Sequence, residues 1–173
     1  MKRILLITTV LITLLILTVT GCDKLKNSIA GGVNIADTPF TARMEIDTEE
    51  VDFIANVKRL GMGLWEMEVL EPSHIKGLVI TYDGSSVSST MNGFTQTQPV
   101  ENIAQSAVFL QIFRAIDNAI SDIDPKGETV DGKYVLDGDN YSITFNPETD
   151  APEELKLPDS VIEAYISEFQ VTA

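Results

Sequence analysis

Residues 63–84 read Gly-Leu-Trp-Glu-Met-Glu-Val-Leu-Glu-Pro-Ser-His-Ile-Lys-Gly-Leu-Val-Ile-Thr-Tyr-Asp-Gly. Trp65, Met67 and Val69 alternate with Glu66 and Glu68. A period of two places the apolar side chains on one face of a strand and the carboxylates on the other. Pro72 ends that strand, because proline cannot donate to a ladder. Leu78, Ile80 and Tyr82 share one face of the next strand, Gly77–Tyr82, and Asp83-Gly84 is a strong hairpin turn. Alternation broken by tight turns specifies an antiparallel sheet with one buried face.

The same pattern extends outward. Upstream, Phe40, Ala42, Met44 and Ile46 alternate with polar residues. After a turn at Thr48–Glu50, Val51, Phe53, Ala55 and Val57 do the same up to Arg59. These read as one hairpin. Downstream, Val87, Ser89 and Met91 form a weaker fifth strand closed by Asn92-Gly93. From Pro99 to about Ile123 the period changes to that of an amphipathic helix, with Pro99 at its first position and a broad apolar stripe including Ile103, Ala107, Leu110, Phe113 and Ile120. Strands return at Lys133–Leu136, Tyr141–Phe145 and Glu154–Leu157. Val161–Gln170 fits a strand or a helix, and its Val, Ile, Tyr and Phe favour the strand. The predicted class is α+β: a curved antiparallel sheet covered by one long central helix.

Residues 63–69, Pro72 and 75–84 together resemble the LolA-like lipoprotein-carrier superfamily, in which an aromatic-bearing strand is followed by a proline, a second strand and a Tyr-Asp-Gly hairpin. The resemblance covers about residues 39–171. It implies an unclosed half-barrel whose helix plugs an apolar cavity, and a role in carrying or sensing acyl chains and other lipids. Lipid-anchored relatives in Gram-positive bacteria, including germination lipoproteins of spore formers, are similar in layout.

Cys22 is the sole cysteine. It follows Lys2 and Arg3, an apolar run from Ile4 to Val19, and Thr20-Gly21. A charged start, an apolar core and small residues at the cut make a secretory signal, and Val19-Thr20-Gly21-Cys22 resembles a bacterial lipobox. The alternative is an uncleaved transmembrane helix, for which about 18 residues is the lower limit. The expected organisation is a lipoprotein signal peptide over 1–21, lipidated Cys22 with a flexible tether over 22–38, and the domain over 39–173. That places the domain on the extracytoplasmic face of a cell membrane, held by its N-terminal lipid. In a bacterium with two membranes, Asp23 resembles the signal for inner-membrane retention.

All 26 acidic residues but only 10 of the 12 basic ones lie beyond Gly21, leaving a formal charge of −16. So acidic a chain excludes electrostatic binding to nucleic acid or to an anionic bilayer. With Cys22 acylated, no disulfide or catalytic thiol is expected. His74 is the sole histidine, in a turn beside Pro72, and there is no Gly-x-Ser-x-Gly elbow, so a hydrolytic triad is not expected. One histidine also argues against a zinc site. Asp137-x-Asp139-Asn140 has the start of a calcium loop, but position 6 is Ser142 where glycine is required, so a hairpin turn is expected. Asp122, Asp124, Glu128 and Asp131 read as a solvated face. No enzyme activity, cofactor or metal is predicted.

The remaining candidate site is apolar. Met44, Phe53, Trp65, Met67, Leu78, Ile80, Leu110 and Phe113 are expected to line a hydrophobic cavity, since methionine and aromatic side chains suit an adaptable lipid pocket. The same residues would fill an ordinary core between sheet and helix. Two readings therefore stand: a tethered domain that binds a lipid or acylated peptide, and a non-catalytic interaction protein with a filled core, accessory to a cell-envelope complex.

Overall fold

The computed structural model describes residues 38–121, 127–149 and 151–172. Cys22, the expected signal and nearly all of the expected tether lie outside the described residues. Among those described, eleven strands form one antiparallel sheet. They are β1 (Phe40–Asp47), β2 (Phe53–Gly61), β3 (Leu64–Glu71), β4 (Val79–Tyr82), β5 (Ser86–Met91), β6 (Phe94–Pro99), β7 (Gly127–Val130), β8 (Lys133–Asp137), β9 (Ser142–Phe145), β10 (Pro152–Leu157) and β11 (Ile162–Val171). Among the described residues there is one α-helix, α1 (Val108–Ser121), between β6 and β7 in the chain.

The spatial order is β6-β5-β4-β3-β2-β1-β11-β10-β9-β8-β7. Each arm is a meander of hairpins, and the arms join where β11 returns to pair with β1. Among the described residues the two arms end at β6 and β7, which do not pair with each other, so the sheet is open. Seven adjacent strands, in spatial order β3, β2, β1, β11, β10, β9 and β8, contribute to one hydrophobic core with α1. At the usual strand spacing they would span roughly 29 Å if flat. A helix is only about 10–12 Å across. One hydrophobic cluster shared by these strands and the helix fits a sheet curved toward α1.

The strands read from alternation are present, and β11 is a strand rather than a helix. Its phase is not uniform. Ile162, Ala164 and Ile166 are buried, whereas Tyr165 is exposed. The register then shifts from Arg43↔Ser167 to Thr41↔Gln170, and Glu168 adopts φ 52°. This bulge inserts one residue and reverses the alternation. Phe169 thereby reaches Phe40, with ring centroids 5.0 Å apart.

Three expectations need correction. The helix begins at Val108, not Pro99. Pro99 closes β6 opposite Ser86, and Val100–Asn102 is a single 3-10 turn. Proline is tolerated there because an edge strand does not need its missing N–H. The strand β6 had no signal, since five of its six residues are exposed and no apolar alternation marks it. It pairs through the Asn92-Gly93 turn, where both residues have positive φ. The fully exposed β7 escapes for the same reason and is joined to β8 by Asp131-Gly132, again with positive φ at both positions.

Candidate functional site

The eight residues expected to line a cavity divide between two clusters. Met44, Trp65, Met67 and Phe113 belong to the main core, each at most 1% exposed, with half-buried Phe53 packed against its margin. Ile80 and Leu110 form a second cluster with Val87, and Leu78 packs on its edge. Trp65 stacks on Phe113 at 4.7 Å with an interplanar angle of 8°, while Phe40 meets Trp65 edge-on at 5.7 Å. Offset stacks and edge contacts are the favourable aromatic geometries. These side chains fill the space between α1 and β3. Met67→Ala is accordingly expected to lower the unfolding free energy by about 2–4 kcal/mol. Leu78→Ala, at a half-buried position, should cost visibly less when the two are compared by urea denaturation.

Beneath the same aromatic stack lies a polar centre that apolar alternation does not single out. Arg59 on β2 is fully buried, and Asp117 on α1 is 7% exposed. Arg59 Nε donates to Asp117 Oδ1 at 2.9 Å. Trp65 Nε1 and the Gly63 backbone N–H donate to Asp117 Oδ2 at 2.8 and 2.9 Å. Arg59 Nη1 donates to the Thr38 carbonyl at 3.4 Å, and its guanidinium lies 5.8 Å from the Trp65 ring centroid. One carboxylate thus ties the helix to β2, β3 and the turn between them. Two local signals were present. Arg59 continues the inward phase of Ala55 and Val57, and Asp117 falls on the apolar stripe between Phe113 and Ile120.

An open cleft is found elsewhere. A slot of ≈ 20 Å³ runs between the C-terminal half of α1 and strands β1, β9, β10 and β11. Every lining side chain is apolar, among them Phe40, Met44, Ile116, Phe145 and Ile166. Half-buried Ile120, Pro152 and Phe169 mark its open side. Of the eight expected cavity residues only Met44 lines it. The space suits roughly one water-sized guest, so a longer apolar chain enters only as the side chains at the mouth move.

The slot has a definite position in the sheet. Phe40, the first residue of β1, pairs with Arg59 on one side and Val171 on the other. The Thr172 N–H donates to the Pro39 carbonyl at 2.9 Å. The β2–β3 turn, the start of β1, the end of β11 and the loop before β10 therefore share one end of the sheet. The β4–β5 turn also reaches it, since a Cβ on Gly63 would stand 3.6 Å from Gly84 Cα. In that turn Asp83 accepts from the backbone N–H and hydroxyl of both Ser85 and Ser86. Those bonds, the Ser85 N–H foremost, hold its carboxyl well below the usual carboxylate range.

The other titratable features are placed plainly. His74 is exposed in the loop between β3 and β4. Asp137–Tyr141 forms the β8–β9 hairpin turn, closed by Gly138 N–H donating to the Tyr141 carbonyl at 2.8 Å. The Tyr141 ring occupies the space where a Cβ on residue 138 would stand. Glu128 and Asp131 are exposed, while Asp122 and Asp124 lie outside the described residues.

No protein-family model matches the chain, and no curated protein does. Solved structures are similar to it. An uncharacterized conserved protein from Thermus thermophilus is 15% identical with a TM-score of 0.49, covering 80% of this chain and 81% of that one. A LolA superfamily protein from Nitrosomonas europaea is 11% identical with a TM-score of 0.41, covering 86% and 94%. A putative outer membrane lipoprotein-sorting protein domain from Vibrio parahaemolyticus is 9% identical with a TM-score of 0.41, covering 79% and 86%.

Proposed function

We propose that this chain is a membrane-anchored bacterial lipoprotein, acylated at Cys22, whose LolA-like half-barrel takes the hydrophobic tail of a lipid or acylated peptide. It is non-catalytic and works on the extracytoplasmic face of the cell membrane. The observation that carries this reading is the slot. It is apolar throughout, and it opens at the end of the sheet where the chain arrives from the direction of Cys22. An acyl tail leaving a membrane would meet Ile120, Pro152 and Phe169 first, then Phe40 and Phe145. Apolar lining gives affinity in proportion to the surface removed from water.

The small volume of the slot favours a second reading. With Trp65, Met67 and Phe113 packed solid, the same fold serves as an interaction module for an envelope protein. Photolabelling separates the two. The full chain is reconstituted in vesicles doped with a diazirine fatty acid, illuminated, and mapped by peptide mass spectrometry. Label is expected on Phe145, Ile120 and Phe169, and Ile120→Trp should abolish it by filling the mouth. A chain that is labelled only on its outer surface, or equally with Ile120→Trp, sinks the lipid-binding reading.

A further inference from the structure

The β2–β3 turn reads Leu60-Gly61-Met62-Gly63-Leu64, with no charged residue in five. Its three large side chains are among the exposed hydrophobics of the domain, at 49%, 50% and 43% for Leu60, Met62 and Leu64. Single exposed apolar residues need no explanation, but three within one hairpin tip do. The tip is also rigidly mounted. The Gly63 N–H is held by Asp117, and Arg59, the residue before Leu60, is fully buried. Stability of the domain therefore does not account for the exposed methionine and leucines.

The position of the tip says what covers it. Arg59 binds the Thr38 carbonyl, so the chain from Cys22 arrives directly beside this turn. Fifteen residues lie between Cys22 and Thr38, the first described residue, and even fully extended that stretch reaches at most roughly 55 Å. If Cys22 is held in a bilayer, the tip is the part of the domain that the tether brings to the same surface at high effective concentration.

We infer that Leu60, Met62 and Leu64 form a membrane-docking tip that inserts into the lipid interface and orients the slot toward the bilayer. The inference rests on Cys22 acylation for its geometry. Docking is apolar in nature, because the tip carries no cation and the chain beyond Gly21 has a charge of −16. It is thus expected to be at least as strong on zwitterionic as on anionic vesicles, and on zwitterionic ones to resist salt.

The test uses the full, acylated chain in phosphatidylcholine vesicles, with Met62→Cys carrying an environment-sensitive dye. Acylation blocks the sulfur of Cys22, and peptide mapping reports whether the dye sits at residue 62 alone. Val161→Cys, 54% exposed at the opposite end of the sheet beside the β10–β11 turn, is the control. Expected is a blue-shifted dye at residue 62, strongly quenched by lipid bromines placed roughly 5–10 Å below the surface, and an unquenched dye at residue 161. Leu60→Ser with Leu64→Ser should abolish the quenching at 62 while leaving the melting curve unchanged. An aqueous dye at 62 in an acylated, vesicle-bound chain overturns docking and leaves the anchor standing. A dye shielded from iodide yet untouched by lipid bromines means a protein covers the tip, which also overturns it. If mapping finds dye on Cys22, acylation fails. The Cys22→Ser, Met62→Cys chain added to vesicles then decides docking alone: quenching by lipid supports it and an aqueous dye overturns it.

Discussion

Asp117→Ala is expected to lower the unfolding free energy by about 3–5 kcal/mol, the cost of removing the carboxylate from a buried ion pair. Arg59 has no exposed surface through which water could replace the carboxylate. The loss extends beyond the ion pair. Trp65 Nε1 and the Gly63 N–H both donate to Asp117 Oδ2, and each would lose that acceptor. An unsatisfied buried donor costs about 1–3 kcal/mol. A domain of this size has a total stability of about 5–15 kcal/mol, so the substitution removes a large share. Asp117→Asn keeps the shape but places an amide donor among three donors, so it should also destabilise. Joining Arg59→Met to Asp117→Leu removes both charges and should recover much of the loss. Urea denaturation of the four chains checks this. A shift below about 1 kcal/mol for Asp117→Ala would mean that water reaches Arg59 and that the centre does not clamp α1 to β2 and β3.

The second large effect concerns the membrane rather than the fold. Cys22→Ala is expected to abolish incorporation of labelled fatty acid completely. Each buried methylene contributes about 0.8 kcal/mol, and a single chain binds only marginally, so two chains on one residue make the difference between transient and lasting attachment. Acyl incorporation is the proper readout. An unprocessed apolar segment from Ile4 to Val19 could itself hold the variant in a membrane fraction, which makes fractionation ambiguous. Persistent labelling of Cys22→Ala would refute acylation at this residue. Loss of labelling with an unchanged melting temperature would separate the anchor from the folding of the domain.

Much of the architecture is legible in local sequence. Trp65, Met67 and Val69 against Glu66 and Glu68 specify a half-buried strand whatever surrounds them. Asp83-Gly84 and Asn92-Gly93 permit the positive φ that tight hairpins demand. Such signals involve only neighbours along the chain. They fail where both faces of a strand meet solvent, as in β6 and β7, because burial is what writes the alternation. They also misplace the start of α1. Ile103 and Ala107 lie on the apolar stripe that the helix period predicts, yet they pack against the Ile80 and Leu110 cluster from outside the helix. Apolar spacing alone cannot tell a helical turn from an irregular one that faces the same core.

The sequence by itself determined the alternating strands, the helix between two strand-rich arms, the acidic balance and the apolar run that leads to Cys22. Only the tertiary structure decided that β11 returns to β1, that Arg59 and Asp117 meet, and which residues border open space. The slot is lined from β1, α1, β9, β10 and β11, segments up to 129 positions apart in the chain from Phe40 to Phe169. The Glu168 bulge further reverses which face Phe169 presents. Whether a side chain fills a core or borders a void depends on volumes brought together across the whole sheet. Periodicity records that a residue is apolar and inward, and carries no information about how much room remains beside it.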